Sequence, residues 1–180
     1  PFLRLSAARR AELAATRPPA LRVRAGGATA TVTDALHGQI SGVVDDFVLF
    51  RNDGTPAYNL AVVVDDVAMG IDQVVRGDDL LSSAPRQAWL TEQLGGTPPG
   101  YAHVPLAVNA EGRRLAKRDG AVSLSALRAL GVGPTQVLSR LAASLALAEP
   151  GEPVTASVVL DRFDPAALPR DPWVVDSQPW

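Results

Sequence analysis

The stretch A-Y-N-L-A-V-V-V-D-D, residues 57–66, decides how this chain is to be folded. Its centre, L-A-V-V-V (60–64), is a continuous apolar run that stops on Asp65 and Asp66. Short uninterrupted apolar runs are the mark of strands buried on both faces. A second run, I-D-Q-V-V (71–75), ends in Arg76-Gly77-Asp78-Asp79, and a third, A-H-V-P-L-A-V, covers 102–108. Between them, residues 80–94 read as a helix, with Asp78 or Asp79 as its cap, Pro85 in its first turn and Gly95 at its end. Apolar runs alternating with helices predict an α/β fold with a parallel sheet covered by helices. In such sheets ligands bind beyond the carboxyl ends of the strands. Arg76 and the basic stretch R-R-L-A-K-R-D-G (113–120) both fall just beyond such ends.

Towards the N-terminus, S-A-A-R-R-A-E-L-A-A-T (6–16) reads as a short helix capped by Ser6 and stopped by Pro18-Pro19. Residues 20–50 carry strand patterns, and Asn52-Asp53-Gly54 signals a tight turn. Towards the C-terminus the chain reads as helical. Ser123 caps one segment, Pro134 opens a second with apolar residues at helical spacing, and Thr155 caps a third. The proline-rich tail D-P-A-A-L-P-R-D-P-W (164–173) is expected to lie extended over these helices.

Composition narrows the classes of function. At 180 residues the chain can bury a substantial core. The absence of cysteine excludes disulfides and thiolate metal sites within it. Apolar runs fall short of the ~20 residues that span a bilayer, so no membrane association is expected, and a cytoplasmic location fits. A formal net charge of −2 argues against binding a polyanion through bulk electrostatics and leaves the task to a local patch. Of 17 basic residues only Lys117 is a lysine. Lysine is a compact point charge suited to phosphate, whereas arginine is a rigid fork. That lysine lies in the middle of the 113–120 stretch.

Several residues are candidates for chemistry. The turn N-A-E-G (109–112) leads into Arg113, Arg114, Lys117 and Arg118, a loop able to fold over an anion, or else a solvated basic turn with Asp119 capping the next helix. Arg76 is placed to hold a carboxylate through a bidentate pair, or to bridge to Asp78 or Asp79. The hydroxyl of Tyr58 could reach a small polar ligand, or Tyr58 is a half-buried strand residue. Asp65 and Asp66 could position a ribose or metal, or cap the next element. His37 and His103 lack metal-ligand spacing and read as structural, and Trp89, Trp173 and Trp180 as packing groups. Arg22, Arg24, Arg113 and Arg114 could meet nucleic acid or simply be solvated.

Taken together, 57–66, V-V-R-G-D-D-L-L (74–81), A-H-V-P-L-A-V-N (102–109) and 113–120 resemble, in order and spacing, the glutamyl-type class I aminoacyl-tRNA synthetases, most closely their short glutamyl-Q tRNA(Asp) branch. The resemblance implies the second half of a Rossmann catalytic domain, with 1–50 as the end of an acceptor-side insertion, 51–122 as the Rossmann half with its signature loop, and 123–180 as a small helical region and tail. It implies activation of glutamate by ATP and Mg²⁺, and transfer to queuosine in the anticodon loop of tRNA(Asp), by an enzyme that is monomeric at full length.

R-L-A-K-R (114–118) resembles the family's K-M-S-K-R loop. It implies ATP binding by Arg114, Leu115, Ala116, Lys117 and Arg118, with Lys117 and Arg118 in the catalytic role. Arg76 matches the arginine that holds the glutamate carboxylate, and Tyr58 the tyrosine lining the amino-acid pocket. Arg114 and Ala116 depart from the signature's first lysine and its serine. Val62 stands where some ordinary glutamyl synthetases carry asparagine. The His-x-Gly-His signature, the first strand and the cysteines of the family's zinc site are missing, and no metal ligand is assigned. A C-terminal portion of a catalytic module, with little or no activity alone, is therefore expected. The alternatives are part of an ordinary glutamyl-tRNA synthetase charging tRNA(Glu), or a non-catalytic nucleotide- or RNA-binding half-domain.

Overall fold

A computed structural model describes residues 5–16, 18–115 and 123–175. The chain forms two units. The first comprises the residues up to Val75 together with Leu80–Ala102, and the second comprises Arg76–Asp79 and the residues from His103 onward.

The first unit opens with helix α1 (Ala7–Thr16), where the Ser6 hydroxyl accepts from the Arg9 N–H. Strands β1 (Leu21–Arg22), β2 (Thr29–Asp34), β3 (Gly38–Val43) and β4 (Val48–Phe50) follow. β2 and β3 form an antiparallel hairpin in register from Thr29↔Val43 to Asp34↔Gly38, and β1 pairs antiparallel with β4. Asp34 is buried, and its Oδ1 accepts from the N–H groups of Leu36 and His37, which fixes the hairpin turn. The Asn52-Asp53-Gly54 turn forms as expected, with Asp53 Oδ1 accepting from both the N–H and the hydroxyl of Thr55.

The opening stretch corrects the strand reading. Residues 60–64 lie inside helix α2 (Tyr58–Met69), which ends on Gly70 at φ 67°. Gly70 N–H bonds to Val67 O and Ile71 N–H to Asp66 O, a Schellman stop that needs the left-handed residue. Val63 is buried, and Leu60 and Val62 pack beside it against Val44, Phe47 and Leu90. Val64 and Val67 turn outward. Uninterrupted apolarity came from a helix with one buried stripe and extra valines on its flank. Asp65 and Asp66 are therefore helix residues and not a strand's carboxyl end, and Tyr58 opens a helix.

The chain then enters β5 (Gln73–Gly77), a 3₁₀ helix (Asp78–Ser83), α3 (Ala84–Gln93) and β6 (Gly100–Val104). The four-stranded sheet runs β3-β2-β6-β5, with β6 parallel to β2 at Asp34↔Tyr101. A core of Val32, Ala84, Ala88 and Tyr101 joins α3 to the sheet, and Trp89 packs against the second cluster as expected of a packing group. The fold class is mixed α/β with parallel pairing, as read from the sequence.

In the second unit, β7 (Ala107–Val108) pairs parallel with β8 (Trp173–Val174). The tail is thus not only draped over helices, since its end supplies a strand. Between them lie α4 (Leu124–Ala129), α5 (Pro134–Ser144) and α6 (Ala156–Arg162). Ser123 and Thr155 cap α4 and α6 by accepting from Ala126 N–H and Val158 N–H, and Gln136 reaches back to the Gly133 N–H at the start of α5. Ala142, Leu147 and Val154 form this unit's core.

Candidate functional site

The site is built from the end of β5. Arg76 is half-buried at the end of the strand that carries it, and the next residue is a glycine in close quarters. A Cβ on Gly77 would stand 2.7 Å from Asp79 Oδ1 and 2.7 Å from Leu106 Cδ2. An alanine there would require the ends of the Asp79 and Leu106 side chains to retreat, and the backbone turns at once into the 3₁₀ helix at Asp78.

Arg76 meets a histidine. Its Nε–H donates to His103 Nε2 at 2.9 Å, and His103 on β6 is fully buried. Guanidinium has no acceptor and keeps its proton, so the ring nitrogen facing it accepts, and the imidazole carries its hydrogen on Nδ1. The sequence reading of His103 as structural agrees with its burial. Its bond to Arg76 was missed, because the two lie 27 residues apart. The available signal was that Arg76 closes one short apolar run and His103 opens the next, on strands adjacent in the sheet.

The basic stretch begins in the same unit. Asn109 Oδ1 accepts from Arg113 N–H, and Gly112 N–H bonds to Asn109 O with φ 73° at the glycine, which gives the expected turn. The return strand pairs Arg114 with Val108, and Leu115 N–H bonds to Ala107 O. Arg114 then forms an ion pair with Asp79, fastening the start of the loop to the 3₁₀ helix after Arg76. Leu115 is exposed. Ala116, Lys117, Arg118 and Asp119 lie outside the described residues. Arg113 is exposed, with Glu111 at 3.8 Å, and Arg22 donates to Asp46 O.

Tyr58 belongs to the first unit, where it is exposed at the first turn of α2. That turn is held by buried Gln87 of α3, whose Nε2 donates to Asn59 Oδ1 at 2.9 Å. Val62 is half-buried against apolar neighbours. Among the described residues no three His, Asp or Glu side chains gather as a metal site. An open groove of about 830 Å³ runs between α5 and the tail, lined in part by Ser139, Arg140 and Trp173. It holds none of the residues singled out for chemistry, Trp173 having been read as a packing group. No helix among the described residues is long and apolar enough to cross a membrane.

Comparison with known proteins bears on this arrangement. Residues 2–177 match the family model of tRNA synthetases class I (E and Q), catalytic domain. A glutamyl-Q tRNA(Asp) synthetase of Nocardia farcinica is 56% identical over 172 residues, covering 95% of this chain and 54% of that protein. A glutamate–tRNA ligase of Nitrosomonas europaea is 43% identical over 143 residues, covering 77% of this chain and 31% of the ligase. The crystal structure of glutamate-tRNA synthetase from Elizabethkingia anophelis superposes with a TM-score of 0.76 at 25% identity, over 97% of this chain and 40% of that one. The chain thus spans about half the length of the glutamyl-Q relative it matches.

Proposed function

Since this chain belongs to the class I tRNA synthetases (E and Q), catalytic-domain family, we propose that it is part of an enzyme that activates glutamate with ATP and transfers it to queuosine in the anticodon loop of tRNA(Asp). The observation that carries this reading is the 56% identity, over nearly the whole chain, to a glutamyl-Q tRNA(Asp) synthetase. The lower identity to an ordinary glutamate–tRNA ligase ranks charging of tRNA(Glu) second. The same resemblance supports reading residues 1–50 as the end of an acceptor-side insertion, 51–122 as the second Rossmann half and 123–180 as a helical appendage, in a cytoplasmic, monomeric enzyme.

In the first step an oxygen of the glutamate α-carboxylate attacks the α-phosphorus of ATP, the bond to the β-phosphate oxygen breaks, and pyrophosphate leaves. ATP enters as its Mg²⁺ complex. Lys117 and Arg118 offset charge developing on the departing pyrophosphate, with Arg114, Leu115 and Ala116 completing the ATP-binding loop. A guanidinium clamped on the attacking carboxylate would blunt its nucleophilicity, so the carboxylate that Arg76 holds is the side-chain one. This also rejects glutamine, because an amide facing the guanidinium would present a donor to a donor. Tyr58 contributes its exposed phenol to amino-acid binding. In the second step an acceptor oxygen of the tRNA attacks the glutamyl carbonyl and AMP leaves.

The test uses the whole protein that carries this chain. Glutamate-dependent ATP–pyrophosphate exchange is expected, followed by transfer of labelled glutamate to queuosine-containing tRNA(Asp) and not to the same tRNA lacking queuosine. Labelling of the 3′ end of tRNA(Glu) would establish the ordinary ligase instead. Nucleotide binding without exchange would leave a binding module. Arg76→Ala removes one partner of a desolvated charge pair, costing about 2–5 kcal/mol, and glutamate KM should rise about 30-fold or more. Lys117→Ala should lower the activation rate and leave glutamate affinity in place.

A further inference from the structure

We propose that Asp79 is a positioning residue for ATP: it holds the Arg114 guanidinium beside the residues that follow β5, and so raises the affinity of the R-L-A-K-R loop for nucleotide. The inference rests on the reading of residues 114–118 as the ATP-binding loop.

The backbone where that loop begins is fixed by its neighbours. Asn109 N–H bonds to Arg113 O at 2.9 Å, Arg113 N–H to Asn109 Oδ1 at 2.8 Å, and Leu115 N–H to Ala107 O at 3.2 Å. These bonds settle the path of the chain through Arg114 and leave its long side chain undirected. The direction comes from the ion pair of Arg114 Nη1 with Asp79 Oδ2. Asp79 is the better anchored partner, with 29% of its side chain exposed against 65% for Arg114. Its other oxygen lies 2.7 Å from the point where a Cβ on Gly77 would stand, so the bare glycine is what lets the carboxylate fold back there. Control thus runs from Gly77 through Asp79 to Arg114.

Asp79 follows the last residue of β5 by two positions, and open α/β sheets bind ligands beyond the carboxyl ends of their strands. An arginine held there has lost part of its rotamer freedom before nucleotide arrives. The pair engages Nη1, and a guanidinium so held still presents Nε and Nη2 to phosphate oxygens. A carboxylate beside a polyphosphate also repels it, which acts in the opposite sense. Here the Asp79 charge is offset by Arg114 on contact, and salt screens what remains over about 8 Å, so positioning prevails. Apparent affinity scales with the fraction of molecules in the competent arrangement. A pair with one largely exposed partner changes that fraction by up to about fivefold.

The experiment compares Asp79→Ala, Asp79→Asn, Arg114→Ala and the double alanine variant in the whole protein, with ATP and glutamate KM measured separately in pyrophosphate exchange. Asp79→Ala should raise ATP KM about two- to fivefold and leave glutamate KM unchanged. Asparagine keeps an acceptor oxygen without its charge, so Asp79→Asn should fall between parent and alanine. Arg114→Ala should itself raise ATP KM. Adding Asp79→Ala to it should raise ATP KM no further, because the effect of Asp79 passes through the arginine.

A lower ATP KM in Asp79→Ala would overturn the inference and show that the carboxylate only repels nucleotide. An ATP KM unchanged in Asp79→Ala, while Arg114→Ala raises it, would overturn the inference and leave the reading of the loop standing. An unchanged ATP KM in Arg114→Ala would overturn the reading of Arg114 as an ATP-binding residue, and the inference with it. Equal rises in ATP and glutamate KM, or full additivity in the double variant, would reduce Asp79 to a structural residue. Should the alanine variant fail to fold, the asparagine variant decides. A rise of about twofold in ATP KM alone supports positioning, and an unchanged or lower ATP KM contradicts it.

Discussion

Gly77→Ala is the substitution for which the geometry makes the sharpest demand. The added methyl would lie 2.7 Å from Asp79 Oδ1 and 2.7 Å from Leu106 Cδ2. Both atoms end flexible side chains, so the backbone can stay in place if they retreat. Leu106 is half-buried, and overpacking against it costs about 1–3 kcal/mol. Asp79 is less free, because its other oxygen is engaged by Arg114. Its retreat should loosen that pair, which with Arg114 largely exposed is itself worth only about 0.2–1 kcal/mol.

Adding the two gives a loss of about 1–4 kcal/mol, or roughly 2–16 °C in Tm at about 2–4 °C per kcal/mol for a chain of this size. Thermal unfolding followed by circular dichroism measures it. The diagnostic is Gly77→Ala combined with Asp79→Ala. Removing the carboxylate takes away one of the two collisions, so the double variant should be more stable than the sum of the single losses predicts. A Gly77→Ala protein with unchanged Tm, or strict additivity with Asp79→Ala, would refute the argument that close approach at this position requires glycine.

Other outcomes follow from contacts elsewhere. Gln87→Ala should lower stability by about 1–3 kcal/mol in urea unfolding, because the buried amide that holds Asn59 is lost. Thr155→Ala removes the cap on Val158 N–H and should cost about 0.5–2 kcal/mol in the same assay. The side-chain bond from Arg162 holds the Glu152 carboxyl below its ordinary pKa, aided by the Glu149 N–H. A lowered folded-state pKa means the contribution is complete above the unfolded value and is lost as pH falls through the folded one. Glu152→Gln should therefore flatten the fall of Tm on the acid side of pH ~4.3, and a parent and variant with parallel acid profiles would contradict this.

How much of this was legible in the sequence varies with the range of the interaction. The caps at Ser6, Ser123 and Thr155, the opening proline of α5 and the turns at 52–54 and 109–112 each depend on a few adjacent residues, and each formed where the residues indicated. The mixed α/β class was readable for the same reason, from runs and their punctuation. The run at 60–64 misled because apolarity on three sides of a helix and apolarity along a strand look alike over five residues. What separates them is total length and the Schellman glycine at 70. At the site, Arg76 stood out by its position after an apolar run. Its partner did not, and neither did the pairing of Arg114 with Asp79, 35 residues apart. Such contacts belong to strand adjacency and to the path after Gly77, which no local pattern encodes.

The pairing of β7 with β8 has a consequence in time. Val108 is bonded on one side to the return strand at Arg114, a contact available as soon as the turn has been synthesised. Its other neighbour is Val174, and Trp173 N–H and Val175 N–H reach Leu106 O and Val108 O across the intervening helices. During translation the strand that leads into the basic loop must therefore wait, half-paired, until α4, α5 and α6 have left the ribosome. Closing so long a segment is entropically slow. The loop's supporting strand should be among the last parts of the chain to gain protection from hydrogen exchange during refolding, well after the β2–β3 hairpin.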